Sequence, residues 1–213
     1  MKTPTWNDLA ISARWRGVVS FIRNWVGPFE SVQGMAPKDL DLILRGKALN
    51  LPTAVREWYL LAANWNQGRL AVWIRAEELA ACDGVVWILT DTQGITHWGV
   101  RVADLDIEDP PVVSREANID IVSPSFSKFV AAMIVNDALF DSEFEAPVEL
   151  VHGSARAEQM CLFSSCFGDF FADGLLESAT VVMFAYPGHG PVYGKSRTSA
   201  GRELLMRLRR QRS

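Results

Sequence analysis

Six side chains in this sequence are best suited to nucleophilic, acid–base or metal chemistry: His97, His152, His189, Cys82, Cys161 and Cys166. A catalytic thiol or hydroxyl needs a base within reach and a third group to orient that base. The run Ser164-Ser165-Cys166-Phe167-Gly168-Asp169 offers nucleophiles, with His152 or His189 as the available base. It lacks the G-x-S-x-G elbow, however, and a cysteine flanked by phenylalanine is ordinarily a small buried thiol. His189 stands in Pro187-Gly188-His189-Gly190-Pro191, where the second proline breaks any dinucleotide fingerprint and the whole reads as a turn. His97, between Thr96 and Trp98, reads as a packed or half-exposed strand histidine. Cys161 and Cys166 have four residues between them, and no second Cys/His pair stands at zinc-site spacing. The expectation is a protein that is not an enzyme and carries no metal or cofactor.

Charge is the more telling pattern. Residues 195–213 hold seven bases and one acid, leaving 14 bases and 24 acids in the remainder, a net of −10. Asp104, Asp106, Glu108 and Asp109 form one acidic cluster, and Asp137, Asp141, Glu143, Glu145 and Glu149 form a second with no lysine or arginine between them. Each cluster alone can be a solvated loop edge. Brought together, they would make a surface for a basic partner, raising its encounter rate and penalising wrong partners. Trp98 and Trp73, both on expected strands, are candidate aromatic anchors for such an interface, although a strand tryptophan more often belongs to a core. The basic tail from about residue 195 reads as a solvated, frayed C-terminal helix whose arginines suit the negative helix end. Contact with nucleic acid through that tail is opposed by the acidic body.

These groups must be positioned by a folded chain, and 213 residues with 49% hydrophobic and 22% charged composition are enough to build one. No apolar run reaches the ~18 residues of a membrane span, and MKTPTWNDLA lacks the apolar stretch of a signal peptide. Three cysteines cannot all pair within the chain, so a cytoplasmic protein with reduced thiols is expected. Apolar residues recur at helical spacing over 7–26, and Gly27-Pro28 stops them. A second helix is expected over 37–49 and a third after Leu51-Pro52, with Val55, Trp58, Tyr59, Ala62 and Trp65 on one face. The period then changes. RLAVWIR at 69–75 reads as a strand, 76–82 as a short helical turn, and VVWILT and ITHWGVRV as a hairpin about Asp91-Thr92-Gln93-Gly94. A strand at 111–115 opens on two prolines, which suits a sheet edge. A helix over 125–140 has Ser123 or Ser125 as cap and Pro124 in its first turn. Beyond 144 the signals weaken to a short helix at 155–163, a strand at 180–186 and a closing helix at 201–210. Helices followed by consecutive strands imply an α+β fold with an antiparallel sheet, organised as a core over 1–143 and an extension over 144–213 packed on it.

The order of these pieces resembles a known family. The Leu51-Pro52 helix with Trp58-Tyr59, the hairpin VVWILTDTQGITHWGVRVADL, the segment Asp109-Pro110-Pro111-Val112-Val113 and the helix Ser125-Phe126-Ser127-Lys128-Phe129-Val130 succeed one another as in the SUKH superfamily. That superfamily includes yeast cell-wall regulators and bacterial toxin-immunity proteins. The likeness covers roughly residues 38–140. The family's Asn-Gly after the third helix is replaced here by Asn64-Trp65-Asn66-Gln67-Gly68, and nothing after Phe144 has a family counterpart. The resemblance implies binding and carries over no catalytic set. It implies an immunity protein that occludes a cognate basic polypeptide toxin, such as a nuclease, in the cytoplasm, through Asp104, Asp106, Glu108, Asp109, Asp137, Asp141, Glu143, Glu145 and Trp98. The alternative it allows is a regulatory scaffold binding several cellular proteins. On this reading the four acids at 104–109 can be reversed to lysine without unfolding the chain.

Overall fold

A computed structural model describes residues 12–26, 34–62, 71–115, 119–139, 144–146, 161–162, 175–177, 181–185, 192–196 and 198–210. The chain forms two compact units, one of Met1–Arg16 with Gly27–Ile134 and one of Gly17–Val26 with Val135–Ser213. It passes between them within helix α1 (Ala13–Phe21), again after the wider π-type turn Ile22–Val26 that continues it, and within helix α4 (Phe126–Leu139). The architecture is α+β with antiparallel sheets. Among the described residues no helix is long and apolar enough to cross a membrane.

In the first unit, helix α2 (Pro37–Gly46) begins on the proline that its missing N–H allows there. Helix α3 (Thr53–Ala62) follows Leu51-Pro52 and buries Val55, Trp58, Tyr59 and Ala62 on the face that the 3.6-residue period requires. The sheet then runs β1 (Ala71–Trp73), β3 (Val85–Asp91), β4 (His97–Arg101), β5 (Val112–Arg115) and β6 (Ile119–Ser123), with the two-residue strand β2 (Ala81–Cys82) also paired to β3. Four aromatic rings close a cycle in the core. Trp58 lies 5.2 Å from Trp15 and 5.1 Å from Trp73, and Phe126 meets both of those tryptophans edge-on at 6.3 Å. The cycle ties α1, α3, β1 and α4 together through aromatic packing that rewards offset and T-shaped geometry.

The β3–β4 hairpin turns where expected. Gly94 takes φ +71°, and the Asp91 carboxylate accepts the N–H groups of Ile95 at 2.8 Å and Thr96 at 3.1 Å. Desolvation opposes ionisation of Asp91, but the Thr96 and Ile95 donors outweigh it and hold the carboxyl below the ordinary carboxylate range. A group whose pKa is depressed by folding stabilises the fold above its unfolded pKa and loses that contribution as pH falls through the folded value. The protection of the Ile95 and Thr96 amides, taken as their exchange rate relative to the intrinsic rate at each pH, is therefore expected to fall in acid for the native chain and to be low at every pH in Asp91→Ala. Gly99 is required for another reason: a Cβ there would stand 2.4 Å from the Val86 carbonyl oxygen and 2.8 Å from Val85 Cγ1.

Several expectations are corrected. The strand after Pro110-Pro111 is not an edge, because β6 pairs along it with Val113 opposite Ile121 and Arg115 opposite Ile119. The prolines precede the strand and withhold no ladder hydrogen bond from it. Pro124 lies outside α4, which starts at Phe126 with the Phe129 N–H bonded to the Ser125 carbonyl. Only Ala76–Glu78 of the expected turn at 76–82 is helical; Ala81-Cys82 is a strand. The second unit carries its own sheet in the order β7 (Phe144–Ala146), β11 (Val192–Ser196), β10 (Val181–Ala185), β9 (Leu175–Glu177), β8 (Cys161–Leu162). Residues 161–162 are thus strand rather than the end of a helix, and 155–160 lie outside the described residues.

The last helix, α5 (Ser199–Arg210), packs on β11, β7 and β10. The Thr198 hydroxyl accepts the Gly201 N–H at 3.1 Å as an N-cap, and Leu205 is 2% exposed. Lys195 belongs to β11 and donates to the Ala138 carbonyl at 3.2 Å. The basic tail is therefore built from a strand and a docked helix, not a frayed one.

Candidate functional site

The acidic segment 104–109 is the best-defined polar surface that the sequence singles out, and the fold holds it at both ends. Val102 N–H bonds the Gly84 carbonyl at 2.8 Å, starting a single 3-10 turn at Val102–Asp104 as β4 ends. A second tight turn follows, with the Ile107 N–H on the Asp104 carbonyl at 3.0 Å. The Glu108 carbonyl then accepts the N–H of Ala54, in the first turn of α3, at 2.9 Å. Asp109 Oδ1 accepts the N–H of Ser127, in the first turn of α4, at 2.9 Å, and Oδ2 accepts the Ser127 hydroxyl at 2.5 Å. These donors are among the four that every helix start leaves without an intrahelical partner. The Asp109 carboxylate, at the start of α4, is also favoured by that helix's dipole. Acidic residues at this place thus have a structural cause before any functional one.

Arg14 locks the same segment from the other side. Its Nη1 lies 2.7 Å from Glu57 Oε2, its Nη2 pairs with Glu108 Oε1, and its Nε stands 3.7 Å from Asp109 Oδ2. Glu57 Oε2 also accepts the Ser12 hydroxyl at 3.1 Å and the Trp15 indole N–H at 2.9 Å. Burial disfavours the Arg14 charge, but hydrogen bonds to Glu108 and Glu57 and the nearby Glu57 and Asp109 carboxylates more than offset it and raise its pKa above the usual arginine value. The guanidinium fork suits three acceptors in a way that a lysine ammonium does not.

The residues expected to form one patch therefore divide. Asp109 is a helix cap with its side chain 24% exposed, and Glu108, although 71% exposed, is paired to Arg14. Reversing either to lysine would put a second cation beside Arg14, and reversing Asp109 would also strip the start of α4, so the expectation that all four acids could be reversed without unfolding is withdrawn. Asp106 is exposed and Asp104 half-buried. With them stand two apolar side chains that the sequence reading passed over, Val102 at 43% and Ile107 at 45% exposure. An isoleucine between two acids in a loop is a signal that charge counting alone misses.

Trp98 is half-buried with its ring 6.1 Å from that of Phe129, whereas Trp73 is 7% exposed within the aromatic cycle and is core. Of the second acidic cluster, Asp137 lies half-buried on α4 in the second unit, and Glu145 occupies β7 opposite Tyr193 in β11. Asp141, Glu143 and Glu149 lie outside the described residues, as do His152, His189 and Cys166. His97 is a half-buried strand residue whose ring meets Trp87 edge-on at 6.0 Å. Among the described residues no group of three or more His, Cys, Asp or Glu side chains is placed to hold a metal ion.

Replacing Asp109 by alanine is expected to cost about 2 kcal/mol, the sum of a lost cap and a charge-assisted hydrogen bond. Thermal unfolding should fall by roughly 4–8 °C, while Asp106→Ala should stay within about 0.5 kcal/mol of the native chain.

No family model, curated protein or solved structure matches the chain.

Proposed function

We propose that this chain is a protein-binding module of SUKH type, acting as an immunity protein that neutralises a cognate polypeptide toxin in the bacterial cytoplasm by stoichiometric occlusion. The observation that carries the reading is the exposed ridge of the 102–108 loop. There the half-buried Asp104 and the exposed Asp106 lie between the exposed Val102 and Ile107 on a segment pinned at two helix starts and by Arg14. A rigid loop costs little ordering entropy on binding, its apolar side chains lose water, and its carboxylates select a basic partner. The order of elements over 38–140 supports the same reading, since it follows the family's succession of helices, hairpin and final Ser-Phe helix. In this reading the module performs no chemistry of its own, and its partner is a lysine- and arginine-rich protein such as a nuclease.

Affinity capture from a lysate of the source organism, at low and at moderate salt, tests the proposal. A single near-stoichiometric basic polypeptide retained at both salts, and toxic when produced alone, is the expected result. A spread of weak partners lost at moderate salt would instead favour a regulatory scaffold. The double variant Asp104→Lys/Asp106→Lys leaves Glu108, Asp109 and Arg14 in place. It is expected to keep its native melting profile and to bind the captured partner at least tenfold more weakly, about 1.4 kcal/mol; unchanged affinity would exclude the ridge as the contact.

A further inference from the structure

Strand β6 closes one side of the first unit's sheet with few of the devices that edges ordinarily carry: one acid, Asp120, and one irregularity at its Ser123 end. Ile119-Asp120-Ile121-Val122 holds three β-branched side chains, no lysine and no proline, whereas natural edges blunt themselves with such residues or with bulges. The single irregularity of its ladder falls between Val112 and Val113, toward Ser123, so 119–121 pair regularly. Asp120 stands on one face of the sheet and Ile119 and Ile121 on the other. Neither face is covered here: Ile121 is 56% exposed, Val122 45% and Ile119 36%, and Asp120 is exposed as well. One strand inward, Val112 and Val113 are buried at 1% and 0%. Among the described residues no strand pairs with the outer side of β6.

We propose that this edge receives an extended segment of a partner polypeptide, which adds to the sheet as its next strand. The segment carries apolar β-branched side chains at alternate positions and lysine or arginine where it passes Asp120 and the acidic loop. Charge argues for this occupant. Ser123, at the end of β6, pairs with Val112, three residues after Asp109, so a strand laid along β6 runs toward the acidic loop. A second copy of this chain, net charge −4, would bring an acidic body rather than lysine or arginine side chains to that edge. Size argues the same way. Five residues span about 17 Å, a ribbon far short of the roughly 800 Å² per partner of a standard interface between folded proteins. Strand addition works with such a ribbon, because main-chain hydrogen bonds supply affinity and alternate side chains supply specificity.

The inference rests on the binding reading above only in taking the partner to be a polypeptide. Its test is selection of a phage-displayed random decapeptide library on the full-length chain, with the Ile121→Lys and Ile119→Lys chains as controls. Both substitutions charge exposed positions, and circular dichroism verifies that each control is folded. Expected are enriched peptides with alternating β-branched residues and a recurrent lysine or arginine. They should be retained at least tenfold less by either control, should prefer acidic residues on Asp120→Lys, and should slow amide exchange of 119–123. Peptides held equally by the controls, or no enrichment at all, would overturn the proposal. So would sedimentation of the native chain as a dimer that Ile121→Lys dissolves, which would assign the edge to a second copy. The selection needs no toxin. Peptides enriched when lysate capture yields no toxin would sustain the edge and sink the immunity reading; a captured toxin still neutralised by the Ile121→Lys chain would show that the toxin does not use the edge.

Discussion

Arg14→Ala is expected to lower the unfolding free energy by about 3 kcal/mol, near the lower end of the range for breaking a buried ion pair. The side chain is 18% exposed and answers three carboxylates at once. Removing it leaves Glu57 and Asp109 close together with 27% and 24% side-chain exposure and no cation between them. The carboxylates then repel one another, and the 104–109 segment loses the cation that ties it to α1. Arg14→Lys should recover less than half of the loss, because a single ammonium cannot serve acceptors spread across the guanidinium fork. The Arg56–Asp41 pair is a control with side chains 34% and 37% exposed, and Arg56→Ala should cost under about 1 kcal/mol. Urea denaturation with a shared slope distinguishes the cases. Equal midpoints for the Arg14 and Arg56 variants would mean that the cluster is decorative and that α1 and the acidic loop are held by apolar contacts alone.

Trp58→Ala is the variant with the largest expected loss, about 3–5 kcal/mol for a truncated buried tryptophan. Trp58 is 1% exposed and is the ring against which Trp15 and Trp73 both pack at a tilt, so its removal opens the cycle that joins α1, α3 and β1. Two partners lose their packing together, and close-packed interiors collapse only partly into such a void. Trp58→Phe keeps one ring in place and should cost less than half as much. The near-ultraviolet circular dichroism of the coupled tryptophans should fall in both variants, and most in Trp58→Ala. A Trp58→Ala chain that melts within 2 °C of the native protein would show that the cycle contributes little.

Much of the first unit was legible because its signals are local. Pro52 and the apolar spacing of Val55, Trp58, Tyr59 and Ala62 specify a helix whatever surrounds it, and Asp91 with Gly94 specifies a turn because only certain residues fit that backbone. Two further local signals were there to be used. Asp83-Gly84, with φ +53° and +75°, is the two-residue hairpin turn that makes Ala81-Cys82 a strand. The alternation Ile119-Asp120-Ile121, bounded by Ser123-Pro124, marks β6. The two prolines before β5 suggest an edge, and recognising β6 makes it an interior strand.

The second unit gives weaker signals because several of its strands are only two or three residues long, too short for a period of two to show against chance. Their existence depends on partners distant in sequence, such as β7 on β11.

Composition and spacing alone established an α+β chain with an acidic body, a basic C-terminal stretch and a hairpin at 85–101, because side-chain type, charge and turn chemistry are properties of neighbouring residues. Which acids are available to a partner was decided only by the tertiary structure. Asp106 and Asp109 are the same residue type three positions apart, yet one faces solvent and the other caps a helix through Ser127, eighteen residues further on. The same holds for Trp73 and Trp98, one buried inside an aromatic cycle and the other half-buried against Phe129. A carboxylate's role follows from the donors that folding brings to it, and Ser127 and Arg14 reach Asp109 only once β4, α1 and α4 have come together.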